Sequence, residues 1–156
     1  PFTTAEVICV QTKLKNKNVI ICQIYRSPST DKHQFITELE QCLIWLHKMN
    51  ATTLITGDFN FDLFSIDLNS GVQNFFTTTS SYGFLPTISR MTRYIHPSSS
   101  LIDNILCNDL SMVAHSGIIL SDLSDHLPIF VSLNIQGNTQ SNHKPTTQIV
   151  FDYKKD

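Results

Sequence analysis

The sequence has no apolar run approaching the ~20 residues of a membrane-spanning helix and no secretory leader at its start. It lacks a basic excess. Eleven Lys and Arg against 13 Asp and Glu give a net charge of −2, so no global positive field draws it to nucleic acid, and such a partner must be met by a local patch. It lacks CxxC pairs, and the five histidines other than His126 show no zinc spacing. Charged residues are sparse, at 15%, and no internal repeat is present. What remains is a globular composition: 156 residues, 41% apolar, are enough for one domain with a real core.

Each of Cys9, Cys22, Cys42 and Cys107 lies in an apolar run, which predicts buried reduced thiols and an intracellular protein. The chain opens on "PFTTAEVICV", without methionine and with a strand almost at once, and reads as a piece of a longer protein.

The Val- and Ile-rich runs "EVICV" (6–10) and "NVIICQIY" (18–25) predict two antiparallel strands joined by a polar hairpin. "RSPSTD" follows, a loop that offers helix-capping residues. Over residues 32–49, Phe35, Leu39, Cys42, Leu43 and Leu46 recur at helical spacing. Residues 52–56 predict a short buried strand, 69–84 a short helix ended by Gly83, and 85–100 a loop. Further strands are expected at 101–107, at 112–120 and after the polar turn at 123. A helix between strands indicates a mixed α/β layer architecture. From residue 136 a polar linker without core pattern is expected, which sets the domain at 1–135.

Three polar interruptions stand at strand ends. "TGDFNFD" (56–62) sets Asp58, Asn60 and Asp62 at alternate positions. A calcium loop is excluded, because its sixth position would be Leu63 and its twelfth Asn69. An Asx turn remains open. "LIDNIL" puts Asp103 inside an apolar strand, where a carboxylate is costly unless paired or facing water. "SDH" (124–126) pairs a carboxylate with an imidazole suited to proton or phosphate work. Together, carboxylates, amide, hydroxyl and imidazole suit phosphate ester hydrolysis assisted by Mg²⁺, a hard cation that keeps several waters.

In that order, "GDFNFD", "LIDNIL" and "LSDHLPIF" resemble the endonuclease/exonuclease/phosphatase superfamily, which includes exonuclease III, AP endonucleases and DNase I-like nucleases. "IYRSPS", "ITGDFNFDL" and "MTR" before "LIDNIL" resemble more narrowly the endonuclease domain of non-LTR (LINE-type) retrotransposons, over about residues 6–135.

The resemblance implies an α+β fold, the later portion of a four-layer sandwich of two mainly antiparallel sheets flanked by helices. It implies that Asp58 orients or deprotonates the attacking water, that Asn60 holds the phosphate, and that Asp125 is the metal aspartate. It implies further that His126 contacts the scissile phosphate, with Asp103 as its carboxylate partner, and that Tyr25 lies near the phosphate. Thr92 and Arg93 would sit on a DNA-contacting loop, Ser124 would position the Asp-His turn, and Asp62 is read as a turn residue.

The implied cofactor is Mg²⁺ or Mn²⁺. The implied partners are target-site duplex DNA and a reverse transcriptase domain downstream in cis, with no membrane, and the implied location is nuclear when acting on genomic DNA. The family's first strands, one bearing Asn and one the principal metal-binding Glu, are expected upstream of Pro1. Two other functions stay open: a remnant without catalysis that binds nucleic acid or nothing, and a phosphatase of small esters or phosphoinositides on the same fold.

Overall fold

The computed structural model describes residues 2–134 and the backbone of 147–152. Strands β1 (Ala5–Leu14) and β2 (Lys17–Arg26) form the expected antiparallel hairpin, longer than their Val/Ile runs. The chain turns at Lys15, which takes a left-handed φ of 55°. This turn sets Cys9 directly opposite Cys22, and the two form a disulfide. The expectation of four reduced thiols is therefore corrected for this pair. Both side chains are buried in apolar runs as expected, but the register of a two-residue turn makes them partners. Cys42 and Cys107 are free thiols, and burial pushes Cys42 up to about 11 and raises Cys107.

Helix α1 (Lys32–Lys48) starts where the Asp31 carboxylate accepts the Gln34 N–H at 2.6 Å. Its stripe of Phe35, Ile36, Leu39, Leu43 and Leu46 is buried, at roughly 2 kcal/mol per side chain. The helix is the crossover that lets β3 (Thr52–Asp58) run parallel to β2. Helix α2 (Ser70–Ser81) is capped by the Asn69 side chain, and Gly83, at φ 81°, turns the chain away from its end.

Residues 85–100 differ from the expected loop. They contain β4 (Leu85–Pro86) and a hairpin of β5 (Arg93–Ile95) and β6 (Ser98–Ser100). Strands of two or three residues, one of them all serine, are too short to show alternation. The remaining strands are β7 (Asp103–Cys107), β8 (Val113–Ile118), β9 (Ile129–Leu133) and β10 (Thr147–Asp152). Strand β10 lies in the segment read as linker and pairs antiparallel with β1, while 135–146 and 153–156 lie outside the described residues.

One mixed sheet, ordered β10-β1-β2-β3-β7-β4, organises the molecule. Its β1, β2 and β3 residues Val7, Cys9, Ile20, Cys22, Ile24 and Ile55 pack with the buried stripes of α1 and α2. The opposite face, through Leu54, Ile105 and Cys107, meets Val113, Ile129, Val131 and Leu133 of the β8–β9 pair. The fold is α+β, with mixed sheets flanked by helices.

The first described residues are tied to α1 through Glu38. Its carboxylate accepts the Thr4 hydroxyl at 2.6 Å and the N–H groups of Thr3 and Thr4 at 3.0 and 3.1 Å. Burial alone would raise the Glu38 pKa, but these bonds overcome it and bring it down to about 2, from an ordinary 4.5. A carboxylate depressed in this way stabilises the fold fully above 4.5 and loses that contribution as pH falls towards 2. Glu38→Gln is expected to lower unfolding free energy by about 1 kcal/mol at neutral pH, a figure discounted for solvent around a partly exposed group. In urea titrations the gap to wild type should narrow as pH drops below 4.5, and a gap independent of pH would contradict this account.

Candidate active site

"GDFNFD" alternates because it serves two layers. Phe59 and Phe61 are buried in the helix-side core, with Phe61 stacked on Phe75 at 4.7 Å and Phe59 tilted on Phe75 at 5.3 Å. The intervening Asp58 and Asn60 are only partly buried, as is Asp62. Asp62 is a turn residue, as expected: its Oδ1 accepts the N–H of Phe64 at 3.2 Å and of Leu101 at 2.9 Å. Gly57 makes the approach possible. A Cβ there would lie 1.7 Å from the carbonyl oxygen of Ile24 on β2.

Strand register then assembles the polar residues. Tyr25 pairs with Asp58 across β2–β3, and Asp58 pairs with Asp103 across β3–β7. The three form one row on one face of the sheet, at about 4.8 Å per strand. His126 joins them from the segment before β9. Its Nδ1 lies 3.0 and 3.1 Å from the two Asp103 oxygens. A proton on Nδ1 makes this contact a hydrogen bond from the ring to the carboxylate. Ligand atoms of Asp58, Asp103 and His126 all lie within 4.8 Å of one another, the one such trio of metal-ligating side chains found among the described residues. Two carboxylates, partly open to solvent and beside an imidazole, suit a divalent cation that retains water ligands.

Burial and the Asp103 charge raise the Asp58 pKa, against the Asn60 N–H and the His126 ring, which lower it. A carboxylate raised in this way is a better base. Its orientation is set locally. Asn60 adopts a left-handed φ of 52°, and its N–H donates to Asp58 Oδ1 at 3.1 Å. The Asn60 side chain donates through Nδ2 to the carbonyl of Arg26 at 2.8 Å, which ties the loop after Asp58 to the end of β2. Tyr25 is 43% exposed at the edge of the row.

Other expected residues fall elsewhere. Asp125, expected as the metal aspartate, lies outside the trio. Its Oδ2 accepts Arg93 Nε at 2.8 Å on the surface, and this bond holds its carboxyl below the usual range. Arg93 is thus held by Asp125 at the β5 hairpin. Thr92, expected to face DNA, is fully buried. Its hydroxyl accepts the N–H of Asp103 at 3.0 Å and of Ile102 at 3.2 Å, which makes it a support for Asp103. The Ser124 hydroxyl accepts the His126 N–H at 3.2 Å, within the Asp-His turn.

Sequence reasoning missed Arg26. Alternation on β2 sets Ile20, Cys22 and Ile24 into the core, and Arg26 follows at the same parity with no exposed surface. A charged residue at an inward position was the signal.

An α+β sandwich bearing an acid–histidine cluster at its strand ends is the layout of a phosphodiesterase-like nuclease module. Residues 3–126 match the Endonuclease/Exonuclease/phosphatase family model, and the chain belongs to that family. Among solved structures it is similar to the endonuclease domain of TRAS1, a telomere-specific non-LTR retrotransposon, at 14% identity and a TM-score of 0.70, covering 85% of this chain and 65% of that one. It is also similar to the Xenopus laevis APE2 catalytic domain, at 18% identity and TM-score 0.62, covering 82% of this chain and 55% of that one. A third likeness is to D. rerio TDP2 complexed with single-strand DNA product, at 15% identity and TM-score 0.62, covering 84% and 62%. The chain thus spans between about half and two thirds of these structures. No curated protein matches the sequence.

Proposed function

We propose that the chain belongs to a metal-dependent DNA endonuclease of the retrotransposon type, which nicks target-site duplex and leaves a 3′ hydroxyl to prime reverse transcription. The observation that carries this reading is the convergence of Asp58, Asp103 and His126 from three separate strand ends. The retrotransposon part rests on the wording of "IYRSPS" and "MTR" and on the likeness to the TRAS1 domain.

Asp58, with one oxygen held by the Asn60 N–H, orients the attacking water and accepts its proton. Asp103 holds the His126 ring, so that Nε2 meets the scissile phosphate and steadies charge as it develops. Tyr25, at the edge of the same row, meets the phosphate from the other side of Asp58. Mg²⁺ or Mn²⁺, held by the Asp58 and Asp103 carboxylates, would supply neutralisation of the phosphoryl charge. The proposed partners are DNA and a reverse transcriptase domain in cis, and the proposed site of action is the nucleus.

The test compares two substrates under Mg²⁺: supercoiled plasmid, scored for nicked circles, and a small phosphate monoester, scored for released phosphate. The protein is assayed as the 156-residue chain. Nicking without phosphate release is expected. Phosphate release alone would favour a phosphatase, and DNA binding without cleavage a binding module.

A further inference from the structure

Arg26 makes more directed contacts than any other side chain near the site. Its Nε donates to the carbonyl of Phe59 at 2.7 Å, and Nη2 to the carbonyl of Asn60 at 3.0 Å. Nη1 donates to the carbonyls of Ser27 and Thr30, each at 3.1 Å, and to the Thr30 hydroxyl at 3.3 Å. The guanidinium lies 4.6 Å from the Phe61 ring centroid. A fully buried cation is costly to maintain unless its donors are satisfied, and here the acceptors are neutral carbonyls rather than a carboxylate. Two of them belong to consecutive residues of the loop that follows Asp58.

The fork geometry matters. Parallel donors on a rigid plane fix two adjacent carbonyls at once, which a single ammonium does not. Fixing the carbonyls of 59 and 60 fixes the left-handed turn at Asn60, a conformation that costs free energy for any residue but glycine. Asn60 closes the circuit by donating to the carbonyl of Arg26 itself. The free end of this arrangement is the Asn60 N–H, which is aimed at Asp58 Oδ1.

We infer that Arg26 is a positioning residue of the site: by clamping the carbonyls of Phe59 and Asn60, it holds the Asn60 N–H on the Asp58 carboxylate. This rests on the reading that Asp58 belongs to a phosphoester site. A residue that served the core alone would be replaced by an apolar side chain of similar volume without cost to the loop.

The test uses the 156-residue chain and two readouts that do not need activity. In Arg26→Lys, exchange of the Asn60 amide proton, followed by NMR, should quicken by about tenfold, while amides of Val19–Ile24 keep their protection. Affinity for Mn²⁺ alone, measured by calorimetry, should weaken by about tenfold, the usual scale for loss of an outer contact at a metal site. Arg26→Gln, which keeps an N–H donor and removes the buried charge, is measured alongside in case the lysine variant fails to fold. A folded variant with Asn60 exchange within twofold of wild type would overturn the inference. Collapse of both variants would overturn it too, since Arg26 would then determine the fold and not the site. Absence of Mn²⁺ binding by wild type would count against the metal site, and Asn60 exchange would still decide the role of Arg26.

Discussion

Gly57→Ala is expected to be the most damaging single-methyl change in the chain, lowering stability by roughly 3–5 kcal/mol. The added Cβ would lie 1.7 Å from the Ile24 carbonyl oxygen and 2.8 Å from its carbon, both backbone atoms of the neighbouring parallel strand. Neither can rotate away as a side-chain tip could. Relief requires β2 and β3 to part at the pair Ile24–Gly57, next to the pair that aligns Tyr25 with Asp58. The φ of 154° at Gly57 is a second penalty for any L side chain. Thermal unfolding checks this, with a fall in Tm of about 10 °C or more expected. Gly83→Ala is the control. Its φ of 81° also favours glycine, but nothing lies within 4 Å of the added Cβ, so its cost should be confined to about 1 kcal/mol of backbone strain.

The second large effect falls on activity. In a protein active on DNA, Asp103→Ala should lower kcat by about 10²–10⁴-fold with little change in KM. The Asp103 carboxylate stands beside two of the groups proposed to meet substrate, His126 and Asp58. It holds His126 Nδ1 at 3.0 Å and faces Asp58 across the β3–β7 pair. Without it the imidazole loses its orienting partner, and Asp58 loses the neighbouring charge that helps to raise its pKa. His126→Ala should cost a similar factor. The double variant should cost little more than either single one, because residues that act as a unit are not additive. Steady-state kinetics on a nicked-circle readout would show this, and simple multiplication of the two losses would contradict the pairing.

Much of the site was legible because each of its residues breaks an apolar pattern. Asp58, Asp103 and His126 stand where an apolar strand begins or ends, and a carboxylate at such a place needs a partner. Their meeting at one sheet end follows from register, since Asp58 and Asp103 are directly paired. Helix α1 was legible from its stripe and its Asp31 cap.

The parts that were not legible depend on contacts between distant segments. Arg26 escaped because the apolar run "NVIICQIY" stops one residue short of it, although strand parity carries it into the core. Cys9 and Cys22 read as separate thiols until the turn at Lys15 set them opposite each other. Thr92 and Asp125 carry groups suited to substrate or metal, yet Thr92 supports the Asp103 backbone and Asp125 pairs with Arg93. Residue type named the chemistry available, and the short β5–β6 hairpin, which sequence periodicity does not reveal, determined which atoms reach the cluster.

The central claim is that Asp58, Asp103 and His126 form one metal-assisted phosphodiester-cleaving site. The most direct measurement is conversion of supercoiled plasmid to nicked circles under Mg²⁺, comparing wild type with Asp103→Ala at equal folded concentration. The prediction is nicking by wild type that EDTA abolishes and that the variant reduces by at least about 100-fold. Mg²⁺-independent nicking, or equal nicking by the two proteins, would contradict it.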